Sequence, residues 1–79
     1  MKVKVRLYGT LSHRFPGYRH SAGIEVELPN GATTKDLLAL LQISKVQGVV
    51  AISEDRILNA DDEIRNGVQV NILQSISGG

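Results

Sequence analysis

Cysteine is absent from this sequence of 79 residues. Without thiols the chain cannot form a disulfide, a thiolate zinc site or an iron–sulfur cluster, and it has no cysteine nucleophile. Tryptophan is absent too. A chain of this length has room for a single domain with a thin hydrophobic core.

Long apolar runs and an excess of charge are also missing. No segment approaches the ~18 apolar residues of a transmembrane helix, and the N-terminus alternates Lys and Val where a signal peptide would be continuously apolar. Nine basic and eight acidic residues give a net charge of +1, which is not the basic excess of a nucleic-acid-binding surface. We therefore expect a small cytoplasmic domain that binds neither membranes nor nucleic acids.

Residues suited to catalysis are scarce. His13 and His20 lie in one connection, residues 9–23, without further side chains at metal-ligand spacing. Neither of the glycine-rich phosphate-binding motifs, G-x-x-x-x-G-K-[ST] and G-x-G-x-x-G, occurs. We expect no metal, no bound cofactor and no enzymatic activity of the chain itself. It would act as a carrier protein or as the non-catalytic small subunit of a synthase.

Two segments near the N-terminus alternate with a period of two, which predicts half-buried β-strands. Residues 2–8 alternate basic with apolar side chains, and residues 24–28 alternate apolar with acidic ones. If the two strands pair antiparallel, Glu25 and Glu27 lie opposite the basic side chains of the first strand. Such cross-strand pairs help to set the register.

One helix is predicted after the turn at residues 29–31. Thr33 is its N-cap, and Asp36 lies three residues later as in a capping box, with Asp in place of the usual Glu or Gln. A leucine stripe follows from residue 37 to residue 41. The pattern predicts a helix of about ten residues that ends near Ile43.

Three further strands complete the prediction. The apolar run at residues 49–52 indicates a buried central strand, residues 57–58 a very short strand, and residues 68–72 an alternating last strand. This order predicts an α+β fold, in which a mixed sheet of four to five strands packs on one main helix. Residues 1–73 would form this domain, and residues 74–79 a flexible tail.

The tail ends in Gly78-Gly79, which is the strongest chemical signal in the sequence. Two residues without Cβ atoms form the thinnest possible peptide, which can enter a channel that any side chain would block. A terminal carboxylate becomes electrophilic once it is adenylated, and the acyl-adenylate can accept sulfide to become a thiocarboxylate. A chain without thiols could therefore still deliver sulfur. The alternative interpretation is an incidental, frayed terminus.

The whole chain resembles the MoaD/ThiS family of ubiquitin-like sulfur carriers. The resemblance rests on the basic, valine-rich first strand, the Leu28-Pro29-Asn30-Gly31-Ala32-Thr33 entry to a leucine-rich helix, and the last strand that leads to Gly79. It implies a ubiquitin-like β-grasp fold. It also implies three partners: a ubiquitin-activating-type adenylyltransferase that uses ATP, a sulfurtransferase or cysteine desulfurase, and the large subunit of a cofactor synthase.

The hypothesis of a sulfur carrier also leads to candidates for the residues that bind the partners. The carboxylate of Gly79 would carry the sulfur as a thiocarboxylate. The remaining candidates are partner-binding residues, in the tail and in an exposed docking patch on the sheet. The tail residues are Gly78, Ser77 and Ile76, and the patch residues are Tyr8, Leu58 and Leu73.

The pathway and the fate of Gly79 stay open at this point. The length of the chain and its long connection at residues 9–23 favour the molybdopterin-synthase branch, while the sequence of residues 73–79 is closer to that of the thiamine carrier. The same terminus would serve a ubiquitin-like protein modifier that is conjugated through Gly79. A non-catalytic β-grasp interaction module would need neither terminal glycine.

Overall fold

A mixed sheet of five strands and one short α-helix make up the structure, a computed structural model that describes residues 1–74. A 3₁₀ helix follows the first strand. The elements in chain order are β1 (Lys2–Leu7), the 3₁₀ helix (Gly9–Arg14), β2 (Ile24–Glu27), α1 (Thr34–Leu40), β3 (Val49–Ser53), β4 (Arg56–Leu58) and β5 (Gln69–Gln74).

The strands lie in the order β2-β1-β5-β3-β4, and only β1 and β5 are parallel. The charge pattern predicts the first pairing correctly, because Lys2 lies opposite Glu27 and Lys4 opposite Glu25. The one close ion pair between these strands joins Lys2 Nζ and Glu25 Oε1 at 3.8 Å, and both side chains are exposed. Such a pair contributes little stability in water, so its main effect is on the register.

The hydrophobic core lies between one face of the sheet and α1. The side chains of Val5 and Val70 in the two parallel strands and of Leu37 in α1 are completely buried there. Seven of the fourteen core residues lie in strands, and they occupy alternate positions there. The core consists of Val3, Val5, Leu7, Leu11, Val26, Leu28, Ala32, Leu37, Leu41, Ile43, Ala51, Ile64, Val70 and Ile72.

The strand predicted at residues 49–52 is confirmed as β3, but it is neither the central strand, which is β5, nor buried on both faces. β3 lies between β5 and the edge strand β4. Ala51 is buried, whereas Val50 and Ile52 are only half-buried. Their side chains alternate with Ala51 and lie on the face of the sheet away from α1, so an uninterrupted apolar run here is covered on one side only.

The helix begins with a complete capping box. The Thr33 hydroxyl accepts from the backbone N–H of Asp36 at 3.4 Å, and the Asp36 carboxylate accepts from the backbone N–H of Thr33 at 2.9 Å. This backbone hydrogen bond, together with one from the Thr33 hydroxyl, lowers the pKa of Asp36 below its ordinary value of 3.8. The prediction of Thr33 as N-cap is confirmed.

The helix ends earlier than predicted, at Leu40. The N–H of Gln42 donates to the carbonyl of Ala39, and the N–H of Ile43 donates to the carbonyl of Leu38. This pair of bonds is a Schellman motif, in which the residue after the C-cap is left-handed. Gln42 fills that position with a φ of 62°. Because the motif usually has glycine there, the sequence contained no recognisable stop signal.

Within residues 1–74, no helix is long and apolar enough to cross a membrane.

We predict that Asp36→Asn weakens the pH dependence of folding stability. The folded-state pKa of Asp36 is lowered, so the carboxylate adds stability above its unfolded-state pKa and loses it as the pH falls through the lower folded-state value. Urea unfolding of both proteins at neutral pH and at a pH below 3.8 measures the effect. Thr33→Ser, which keeps the hydroxyl, should behave like the wild type. Equal pH dependence in wild type and Asp36→Asn would contradict the prediction.

We predict that Gln42→Gly stabilises the domain by about 0.5–1 kcal/mol, because glycine adopts a positive φ without the steric cost of a Cβ atom. The midpoint of urea unfolding should rise. Gln42→Ala is the matched control, since it shortens the side chain but keeps the Cβ atom, and it should give no such gain. A stabilisation by Gln42→Ala as large as that by Gln42→Gly would show that the backbone conformation is not the cause.

Candidate functional site

The C-terminal tail continues from the central strand of the sheet. β5 extends to Gln74, which pairs with Val49, so the predicted domain boundary at residue 73 falls inside this strand. The candidate site residues Ile76, Ser77, Gly78 and Gly79 lie outside the described residues, and their roles stay predictions.

The side chain of Gln74 connects the end of β5 to the segments on either side. Its Oε1 accepts a hydrogen bond from the hydroxyl of Thr10, in the 3₁₀ helix, at 3.1 Å. Its Nε2 donates to the backbone carbonyl of Gln47, in the segment before β3, at 3.1 Å. Both contacts lie at the point where the chain continues toward Gly79.

The face of the sheet opposite α1, here called the outer face, carries an apolar area at the C-terminal half of β5. Leu73 lies on this face, beside Val50 of β3 in the register and next to the position of Tyr8 after β1. One row further, Ile52 of β3 pairs with Ile57 of β4. Ile57 is 67% exposed and Tyr8 is 37% exposed, so apolar surface is accessible to a partner here.

The predicted docking patch of Tyr8, Leu58 and Leu73 needs a correction in one member. Leu58 pairs with the buried residue Ala51, and its half-buried side chain packs against the hydrophobic core. It therefore lies on the face of the sheet that α1 covers, while Tyr8 and Leu73 lie on the outer face. The edge strand has only three residues, which is too short for a period of two to show which of its apolar residues faces outward.

Sequence reasoning missed three residues of this apolar area, namely Val50, Ile52 and Ile57. A signal was present, because residues 49–52 form an uninterrupted apolar run in a chain with one predicted helix. A single helix covers one face of a sheet, so alternate residues of that run have to lie on the other face.

The connection between β1 and β2 supports Tyr8. The hydroxyl of Tyr18 accepts from the backbone N–H of Leu7 at 2.8 Å and lies 3.2 Å from the Leu7 carbonyl, so it replaces a strand neighbour at the end of β1. The ring of His20 lies edge-on to that of Tyr8, with 4.8 Å between the centroids. The tyrosine at the margin of the apolar area is thus held by residues of this connection.

Basic side chains flank the apolar area on the outer face. Lys2, Lys4 and Arg6 alternate with the buried residues of β1. Arg6 lies beside Asn71 of β5 in the register and donates to the carbonyl of Ser21 at 3.4 Å. The outer face therefore combines an apolar area with basic side chains on β1, two of which lie opposite acidic side chains of β2.

Comparison with known families identifies the group of proteins to which this arrangement belongs. The sequence model of the ThiS family matches residues 11–79, from the 3₁₀ helix to the last glycine. The chain belongs to the ThiS family. The resemblance to MoaD/ThiS-type ubiquitin-like sulfur carriers is therefore confirmed.

Solved structures share the fold of this ThiS-family chain. A Pyrococcus furiosus protein, provisionally named molybdopterin converting factor, subunit 1, is 21% identical, with a TM-score of 0.73 over 95% of this chain and 98% of its own. SAMP1 from Haloferax volcanii is 14% identical, with a TM-score of 0.75 over the full length of both chains. At these identities the likeness concerns the fold, and it confirms the predicted β-grasp architecture. A search of curated proteins gives no significant match.

Membership of the ThiS family supports the role of a sulfur carrier. Proteins of this family are small carriers, in agreement with the predicted lack of catalytic activity.

Proposed function

We propose that this chain carries sulfur as a thiocarboxylate on Gly79 and donates it in the biosynthesis of a cofactor. The observation that carries the proposal is the family match, which extends to the terminal Gly-Gly. The fold supports it, because the tail continues from the central strand of a sheet that is anchored on both sides.

Two transfer steps produce the thiocarboxylate. In the first, a carboxylate oxygen of Gly79 attacks the α-phosphorus of ATP, and pyrophosphate leaves. In the second, the terminal sulfur of a persulfide on a sulfurtransferase or cysteine desulfurase attacks the carbonyl carbon, and AMP leaves with the bonding electrons. A thiol of the partner then cleaves the S–S bond of this acyl disulfide, which releases the thiocarboxylate and joins the two partner sulfurs in a disulfide. The chain has no cysteine, so no internal thiol competes for the acyl-adenylate. All other reacting groups come from the partners.

We further propose that the ubiquitin-activating-type adenylyltransferase binds the apolar area of the outer face. Tyr8 and Leu73, two members of the predicted docking patch, lie in this area, and we propose Ile57 in place of the third member, Leu58. The exposed fraction of Ile57, 67%, is the largest among the exposed large apolar residues of the described chain. Its burial in a complex would therefore yield more free energy than that of its neighbours.

For the acceptor of the sulfur we propose a molybdopterin-type synthase in preference to the thiamine pathway. The long connection at residues 9–23 and the length of the chain support this choice. The fold shared with the provisionally named molybdopterin converting factor is compatible with it. The large subunit of that synthase would then receive the tail of the carrier.

Conjugation to other proteins is the second candidate function. It needs the same activated Gly79, and the fold shared with SAMP1 allows it. Attack by a lysine amine on the acyl-adenylate or on a derived thioester would form an isopeptide bond and release AMP or the thiol, respectively. Adducts of higher mass that are linked through Gly79 in cell extracts would favour this function, whereas a free thiocarboxylate without adducts favours sulfur transfer.

We predict that incubation with an activating enzyme, ATP and a sulfur donor replaces one oxygen of the chain by sulfur. Intact-mass spectrometry should show an increase equal to the difference between the two atomic masses. Loss of this increase on omission of ATP is the control for adenylation.

A chain with one residue appended after Gly79 provides the matched control. It should fold with the same urea midpoint but remain unconverted, since the reacting carboxylate is displaced from the glycine pair. The proposal fails if the wild type stays unmodified while a known carrier is converted under the same conditions.

We predict that Ile57→Ser raises the concentration of this chain that half-saturates the activating enzyme by about tenfold, because truncation removes apolar area buried in the complex. Pyrophosphate exchange into ATP measures it. Leu40→Ser is the matched control, since Leu40 is also exposed, at 54%, but lies in α1 on the other side of the sheet. Equal effects of the two substitutions would place the docking surface elsewhere.

A further inference from the structure

Gln74 occupies the last position at which β5 has a neighbouring strand. Its partner Val49 is the first residue of β3, and on the other side β1 ends at Leu7, opposite Ile72. At residue 72 the strand β5 has a neighbouring strand on each side, whereas at residue 74 it has only β3. Side-chain hydrogen bonds therefore matter more for holding residue 74 in place.

The amide of Gln74 supplies both contacts. It lies on the same face of β5 as the buried residues Val70 and Ile72, and it is itself half-buried. Its acceptor binds the Thr10 hydroxyl on the β1 side of the strand, and its donor binds the Gln47 carbonyl on the β3 side. A carboxylate offers no donor and an ammonium group no acceptor, so only an amide satisfies both neighbours at this length.

We propose that Gln74 is a positioning residue that fixes the point and the direction from which the C-terminal tail enters a partner's active site. The inference rests on the proposed function, since it concerns how Gly79 reaches an adenylating centre. Five residues separate this fixed point from the terminal carboxylate. A residue that becomes ordered only in the complex loses conformational entropy, which weakens binding. A residue that is already ordered in the free protein does not carry this cost.

Loss of the Gln74 hydrogen bonds should therefore weaken binding of the carrier to the activating enzyme without changing the rate of adenylation. Once the tail is seated, the same carboxylate meets the same ATP, so the maximal rate stays as it is. The concentration of carrier needed for half-saturation rises instead. For one additional residue to be ordered on binding, we expect an increase of about fivefold.

The test uses the full chain and a ubiquitin-activating-type enzyme in pyrophosphate exchange, with the half-saturating concentration and the maximal rate measured separately. Gln74→Met keeps the length of the side chain and removes both hydrogen bonds. Thr10→Val removes one of the two and should give a smaller effect in the same direction. Thr10→Ser retains the hydroxyl and should restore the wild-type value.

Gln69→Met is the matched control at the opposite end of β5. It makes the same chemical change at an exposed residue and removes the bond that Gln69 Nε2 donates to Asn71 Oδ1 at 2.9 Å. Urea unfolding of each variant separates lost stability from lost positioning. We expect Gln69→Met to leave the half-saturating concentration unchanged, even if the two glutamine variants lose similar stability.

Three results would overturn the positioning role: a wild-type half-saturating concentration for Gln74→Met, an equal increase for Gln69→Met, or a fall in the maximal rate alone. In each of these cases the wild type still supports exchange, and the proposed function stands. If the wild type supports no exchange with an enzyme that activates a known carrier, the proposed function fails, and the positioning role fails with it.

Discussion

A single helix of seven residues packs against a sheet of five strands, and this difference in size determines which surfaces of the sheet are buried. The helix can bury only one face of the sheet, so the core is a single layer of side chains between them. The strands nearest the middle, β1 and β5, contribute the residues that are most deeply buried, whereas the edge strand β4 contributes only the half-buried Leu58. Within residues 1–74 no second α-helix covers the opposite face, and its side chains range from half-buried to exposed. Its character is therefore set by the outward side chains of the strands, which are basic on β1, acidic on β2 and apolar on β3 and β4.

Much of this architecture follows from patterns along the chain. The period of two marks β1, β2 and β5, and the opposite charges of β1 and β2 predict their antiparallel register. The capping box marks where α1 begins. The end of α1 is harder to predict. The left-handed residue that terminates it is Gln42, whereas glycine usually marks this position, and other residue types can adopt the same conformation at some energetic cost.

Strand order depends on contacts between segments that are distant in the sequence, so sequence patterns predict it less well. A run such as residues 49–52 is equally consistent with burial on both faces and with one face open, and only the number of covering helices distinguishes the two. For β4 the pattern is too short to orient Ile57 and Leu58. The role proposed for the terminal glycines follows from their place in the sequence and from the family match. The contacts of Gln74 could not be predicted in this way, since Thr10 and Gln47 are brought to it from distant parts of the chain.

The position of β5 between β1 and β3 has a mechanical consequence for the proposed function, in which a partner acts on the C-terminus. A partner that draws the tail inward pulls along the length of β5. That force acts across the hydrogen bonds to β1 and β3 in shear, so many of them share the load at once, whereas a strand peeled from an edge would lose its bonds one after another. Because β5 is paired on both sides, such a pull has to break its bonds to β1 and to β3 before the strand can leave the sheet.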